Sequence, residues 1–150
     1  RRLLEEGVSP DAADDEDRGR TPLHNLCLTS LQGNLDAVSF AACFKLLRDA
    51  GANLDATDSV ARRHTVLHYA VTHKRVEMVS LLVEAGVNVN AASYIDSTAL
   101  HFAAEHEHAI TVLTLLAYGA NIEAVRADVP SEPQTRGSAL GLRLTHVRVP

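Results

Sequence analysis

The chain has 150 residues, 14 basic against 19 acidic side chains and a formal net charge of −5. Its longest Lys/Arg run is two residues, which cannot neutralise a row of phosphates and argues against nucleic acid as a partner. Hydrophobic residues at 46% and charged residues at 22% set it apart from disordered chains. No apolar run reaches the roughly 18 residues of a membrane span. Aromatic residues make up only 4%, with no Trp, so Leu, Ala and Val must fill the core, a composition suited to close-packed helices rather than sheets.

From the amino end, Leu3-Leu4 stands before Gly7-Val8-Ser9, and an acidic run, Asp14-Asp15-Glu16-Asp17, follows. Thr21-Pro22-Leu23-His24 then opens a predicted helix, with threonine as the cap and proline at the first helical position, where no amide hydrogen is needed. Asn34 followed by Leu35, Val38, Ala41, Ala42, Phe44, Leu46 and Leu47 predicts a second, amphipathic helix lengthened at its start. It closes at Gly51-Ala52-Asn53.

Thr65-Val66-Leu67-His68 opens the next helix, with Leu67, Ala70 and Val71 on one face. A break at His73-Lys74-Arg75 precedes Met78, Val79, Leu81, Leu82 and Val83, the apolar stripe of a second helix. Gly86 ends it in the left-handed conformation that glycine adopts without steric cost. Thr98-Ala99-Leu100-His101 repeats the opening, with small Ala103 and Ala104 where neighbouring helices can approach closely. Leu115-Leu116 and Gly119-Ala120-Asn121 repeat the close. Pro130 and Pro133 then forbid a regular ladder and predict a mobile loop. In Ser138-Ala139-Leu140-Gly141, glycine stands in the place of the histidine, and Arg143 falls where the earlier copies have Leu26, Ala70 and Ala103.

The Thr-x-Leu-His tetrapeptides lie 44 and then 33 residues apart, and the closing glycines Gly7, Gly51, Gly86 and Gly119 lie 44, 35 and 33 apart. Each unit is a pair of short helices too small to bury its own apolar face, so stability must come from stacking. Thr-Pro-Leu-His, the Leu-Leu pair and Gly-Ala-Asn-x-x-Ala at this period resemble the ankyrin repeat over essentially the whole chain. The resemblance implies an all-α solenoid of helix-turn-helix units with finger loops. The units are residues 1–20 (second helix and finger of a truncated first repeat), 21–64 (second repeat, with nine extra residues between its landmarks), 65–97 (third), 98–137 (fourth, with a long finger loop) and 138–150 (start of a degenerate fifth). Because it opens on Arg1 rather than Met, the sequence reads as a piece of something longer. Uncapped ends predict fraying of residues 1–20 or self-association.

Candidate chemistry is sparse. His24, His68 and His101 share the fourth place of the tetrapeptide, where the resemblance implies a structural histidine bonded to its own Thr and to neighbouring backbone. Glu105-His106-Glu107-His108 is the densest cluster of metal-ligating residue types, but His at i and i+2 do not share a helical face, so no metal is expected. No nucleophile elbow, phosphate-cradling loop or His-Glu-x-x-His occurs. No enzyme activity and no cofactor are implied. Cys27 and Cys43 lie in apolar runs as small core residues, which points to a reduced, intracellular and cytoplasmic setting.

What remains is surface recognition. The resemblance implies a concave face of first helices and fingers that binds a protein partner. The fingers carry Asp14 to Asp17, then Arg62-Arg63-His64, then Tyr94-Ile95-Asp96, then Arg126. If the acidic and basic neighbours partly cancel, Tyr94 and Ile95 are left as the apolar anchor, with Arg62, Arg63 and Arg126 as flanking contacts. Asn90 matches the hairpin asparagine that some family members hydroxylate, where Asp55 and Glu123 stand in the neighbouring copies. The expected function is therefore a protein-interaction scaffold or adaptor, or alternatively the regulatory or substrate-docking region of a larger enzyme or channel.

Overall fold

A computed structural model describes residues 9–13, 19–31, 36–58 and 62–124. The acidic run, the proline loop, Arg126 and the expected fifth unit lie outside the described residues, as do Leu3-Leu4. Six helices are present among the described residues: α1 Pro22–Leu31, α2 Ala37–Asp49, α3 Val66–Thr72, α4 Val76–Glu84, α5 Ala99–Glu105 and α6 Ala109–Ala117. Isolated antiparallel bridges join Thr57 with Thr65 and Ala92 with Thr98, each closing the base of a finger. The odd-numbered helices pack in sequence, α1 on α3 on α5, and the even-numbered ones form a second layer, α2 on α4 on α6. The fold is an all-α solenoid.

Local chemistry sets where each helix starts and stops. Thr65 and Thr98 form capping boxes with the histidine three residues on: the threonine side chain takes the histidine amide, and the imidazole takes the threonine amide. Asp36 caps α2 by accepting the Ser39 amide at 2.6 Å, and those hydrogen bonds hold its carboxyl below the usual carboxylate range. At the other end, α2, α4 and α6 all finish in the same way. The Gly86 amide bonds the Val83 carbonyl and the Val87 amide bonds the Leu82 carbonyl, with matching pairs at Gly51 and Gly119. This doubly bonded cap requires a left-handed residue after the helix. The three glycines supply it, with φ between +84° and +86°.

The two layers share one core. Leu23, Cys27, Val66, Leu67, Ala70, Val71, Leu100 and Ala103 come from the first-helix layer, and Phe40, Phe44, Met78, Val79, Leu82, Val83 and Leu115 come from the second. Burial pushes the Cys27 thiol up to about 12, so it behaves as an inert core residue.

The extra residues of the second unit are distributed differently from the expectation. α1 has ten residues against seven in α3 and α5, and α2 has thirteen against nine in α4 and α6, so both helices are extended and α2 begins at Ala37 rather than near Asn34. Its buried face is Phe40 and Phe44, whose rings stack 6.1 Å apart. Val38 and Leu46, expected on that face, are exposed. A 13-residue helix laid against nine-residue neighbours presents only part of its length to them, so two aromatics one turn apart suffice to hold it.

Two further positions repeat at a spacing of 33 and carry positive φ without glycine. Lys74 and Glu107, both at φ 57°, turn the chain between the two helices of their units. A side chain there costs on the order of 1 kcal/mol. Lys74→Gly should raise stability slightly, by up to about 0.5 kcal/mol, because strain relief outweighs the added freedom of the unfolded chain; the midpoint of urea unfolding measures it, and a lower midpoint would refute the strain account.

Candidate functional site

The tetrapeptide histidines build the frame on which the fingers sit. The His68 Nδ1 accepts the Thr65 amide at 3.1 Å, and its Nε2 lies 3.1 Å from the Ser97 carbonyl of the next unit. The His24 Nδ1 accepts the Thr21 amide at 3.3 Å, and its Nε2 lies 3.2 Å from the His64 carbonyl. An amide only donates and a carbonyl only accepts, so both rings are neutral with the proton on Nε2. Burial is the main cause that lowers His24 and His68, in His68 to about 4, against the opposing pull of the carbonyl bonds and of Asp58.

A second ladder ties the hairpins together. Asp11, Asp55 and Asn90 hold the same place in successive fingers, and each accepts a backbone amide of the next unit: Asn53 and Asn88 at 2.8 Å and Asn121 at 2.7 Å. Asn90 alone adds a donor bond, from Nδ2 to the Gly119 carbonyl at 3.1 Å. The amide of Asn90 thus links two fingers through both of its heteroatoms, although the residue is exposed.

Between the second and third fingers these ladders leave a cavity of about 270 Å³, lined by Arg62, His64, Ser93, Tyr94, Ile95 and Phe102. Its walls are joined, because the Tyr94 amide donates to the Arg62 carbonyl at 2.9 Å. The third finger is closed by the Ser93 amide on the Ser97 carbonyl at 2.9 Å. His64 is wedged among rings: stacked on His68 at 5.5 Å and edge-on to Tyr69 at 5.9 Å and Phe102 at 5.4 Å. Burial lowers the His64 pKa, the nearby Arg62 adding to the effect and Asp58 opposing it. Asp58, itself buried, takes the His64 amide at 2.8 Å on one oxygen and the Tyr69 hydroxyl at 2.9 Å on the other.

Of the residues singled out from sequence, the structure brings Arg62, Tyr94 and Ile95 to one cavity. Tyr94 is 70% exposed. Arg63 is exposed at φ 50° and does not line it. His64, Ser93 and Phe102 complete the cavity and were not expected there. A signal existed for two of them: His64 directly precedes its tetrapeptide, and Phe102 follows His101 as Tyr69 follows His68. The Glu105 to His108 cluster spans the turn between α5 and α6, where His108 bonds Thr111. Among the described residues no three His, Cys, Asp or Glu side chains are placed to hold a metal.

The family model described as ankyrin repeats, three copies, matches residues 36–126. The chain belongs to the ankyrin-repeat family. Over 89 residues, 59% of this chain, it is 38% identical to NF-kappa-B inhibitor alpha of Sus scrofa, covering 26% of that protein. Over 50 residues, 33% of this chain, it is 46% identical to a fowlpox virus (strain NVSL) protein named as an ankyrin repeat protein, FPV233, covering 9% of it. The chain therefore spans about a quarter of the first relative and under a tenth of the second. Ankyrin repeats generally serve as protein–protein interaction modules. No described helix of this ankyrin array is long and apolar enough to cross a membrane.

Two outcomes follow from the ladders. In the unfolded chain an imidazole protonates near its ordinary 6.5, whereas folded His68 resists until about 4. Between those values the unfolded state binds more protons, so stability is fully present above pH 6.5 and is lost as pH falls towards 4. At about 1.4 kcal/mol per pKa unit, His68 contributes up to roughly 3 kcal/mol of this loss. Urea unfolding at pH 7.5 and 4.5 should show the fall, and His68→Gln, weaker at pH 7.5, should show a shallower one; equal slopes would contradict the assignment. Separately, Asn90→Ala should cost about 1–2 kcal/mol by removing two linking hydrogen bonds. Asn90→Asp, keeping the acceptor as Asp11 and Asp55 do, should cost about half as much by thermal unfolding.

Proposed function

We propose that this chain is a scaffold or adaptor segment that binds a protein partner through its first helices and fingers, with Tyr94, Ile95 and Arg62 at the contact and Arg63 and Arg126 flanking it. The observation that carries the reading is the cavity between the second and third fingers. An exposed tyrosine and isoleucine stand over a half-buried phenylalanine, with an arginine at the edge, on walls already hydrogen-bonded together. Tyrosine and arginine are the residue types that dominate interface energetics, and prior ordering of the walls lowers the entropy cost of binding. The family supports the class of function, and the pig relative, by its name an inhibitor of NF-kappa-B, offers a precedent for action by binding. The repeat boundaries 1–20, 21–64, 65–97, 98–137 and 138–150 are proposed as the units of this array. The histidines need no catalytic role, since each tetrapeptide imidazole is bonded within the frame.

A photo-crosslinking amino acid placed at Ile95 should yield protein adducts in cells that express the chain, whereas the same group at Lys45, exposed on the second-helix layer, should yield few. Equal labelling from both positions, or none from Ile95, would overturn the concave-face reading.

A further inference from the structure

We propose that the cleft between the second and third fingers takes one bulky apolar side chain of an acidic peptide segment, with a carboxylate next to that side chain seated on Arg62. The inference rests on the reading of the fingers as a partner-binding face and names the chemistry of the partner.

Size decides the kind of occupant first. A cavity of about 270 Å³ falls just below the roughly 300–1,000 Å³ of pockets that enclose a whole small molecule. It suits one side chain projecting from a larger partner. The walls decide its polarity: Tyr94, Ile95 and Phe102 are apolar, and His64 is neutral near pH 7 because burial lowers its pKa. An apolar side chain can thus enter without stranding a charge.

Charge decides the neighbour. Arg62 lines the cavity, is exposed, and forms no ion pair with any described residue. Two acidic residues of these fingers do not answer it. Asp58 is buried with both oxygens already bonded, and Asp96 sits in the turn of the third finger and does not line the cavity. A guanidinium presents a planar fork that a carboxylate matches with two bonds. Because the Tyr94 amide joins the Arg62 backbone to the third finger, the root of the Arg62 side chain stands at a set place beside the apolar walls and its charge stays within one side-chain length of them. That limited reach is what would select a sequence pattern rather than mere hydrophobicity or mere charge.

The test is selection of short random peptides displayed on phage against the full 150-residue chain, followed by fluorescence polarisation on individual synthetic peptides. The expected winners carry Leu, Ile, Phe or Trp beside Asp or Glu. Tyr94→Ala and Arg62→Glu should each weaken them by at least about tenfold, with thermal unfolding unchanged, since both side chains are exposed. Exchanging the peptide carboxylate for Lys should restore binding to Arg62→Glu. Winners insensitive to both substitutions would overturn this proposal while leaving the wider interaction reading in place. Basic residues beside the apolar one would overturn it too, as would failure to select any peptide over an unrelated control; in that case the crosslinking result alone decides the wider reading. Tyr94-dependent binding of a single-stranded oligonucleotide at physiological salt would show stacking on a base and would likewise overturn it.

Discussion

A buried imidazole that bonds in two directions is the interaction on which the rest of this structure depends. One nitrogen takes the amide at the start of its own helix and the other gives its proton to the carbonyl just before the next tetrapeptide, as in His24 to His64 and His68 to Ser97. The same side chain therefore starts a helix and sets the spacing to the next unit. Neutrality is forced by the geometry, because a second ring proton would face an amide hydrogen. The depressed pKa values come from the same source, and so does the acid sensitivity expected of the array.

That bond also decides where the fingers stand. By holding the carbonyls of His64 and Ser97, it positions the last residue of each finger, and the bridges from Thr57 to Thr65 and Ala92 to Thr98 close the hairpins above them. The Asp11, Asp55 and Asn90 ladder then ties finger to finger on the far side of the hairpin. Between these two rows of hydrogen bonds the tip residues are released from structural duty. The side chains of Arg62, Tyr94 and Ile95 are exposed and take no part in either row, which is how a repeat built on a few recurring contacts can present a particular surface.

The second unit shows how far the frame tolerates change. Three residues are added to α1, four to α2 and two to the connection between them, yet Thr21, His24 and Gly51 keep the bonds their counterparts make. The helix lengths and the connection between the helices differ, while these bonds do not. Insertions are absorbed where no inter-unit hydrogen bond is anchored, and the added length is held by Phe40 and Phe44.

Much of this was legible in the sequence. The tetrapeptides, the leucine pairs and the closing glycines fix the helix ends, because a cap, a capping histidine and a left-handed glycine are local demands met by residues within one turn of each other. The roles of His24 and His68 and of Cys27 as core follow from that pattern, as does the exposure of Tyr94 at a finger tip. What the sequence could not decide is whatever depends on residues brought together by stacking. Arg62 and Tyr94 are 32 positions apart and share a cavity only because one finger lies on the next. His64 and Phe102 looked like a loop residue and a helix residue, and only packing made them a floor and a wall. The division of the inserted length between α1 and α2 escaped for a similar reason, since it is set by how much of each helix its neighbour can cover. Local hydrogen bonding is written in the chain, whereas the cleft exists only in the register between its units.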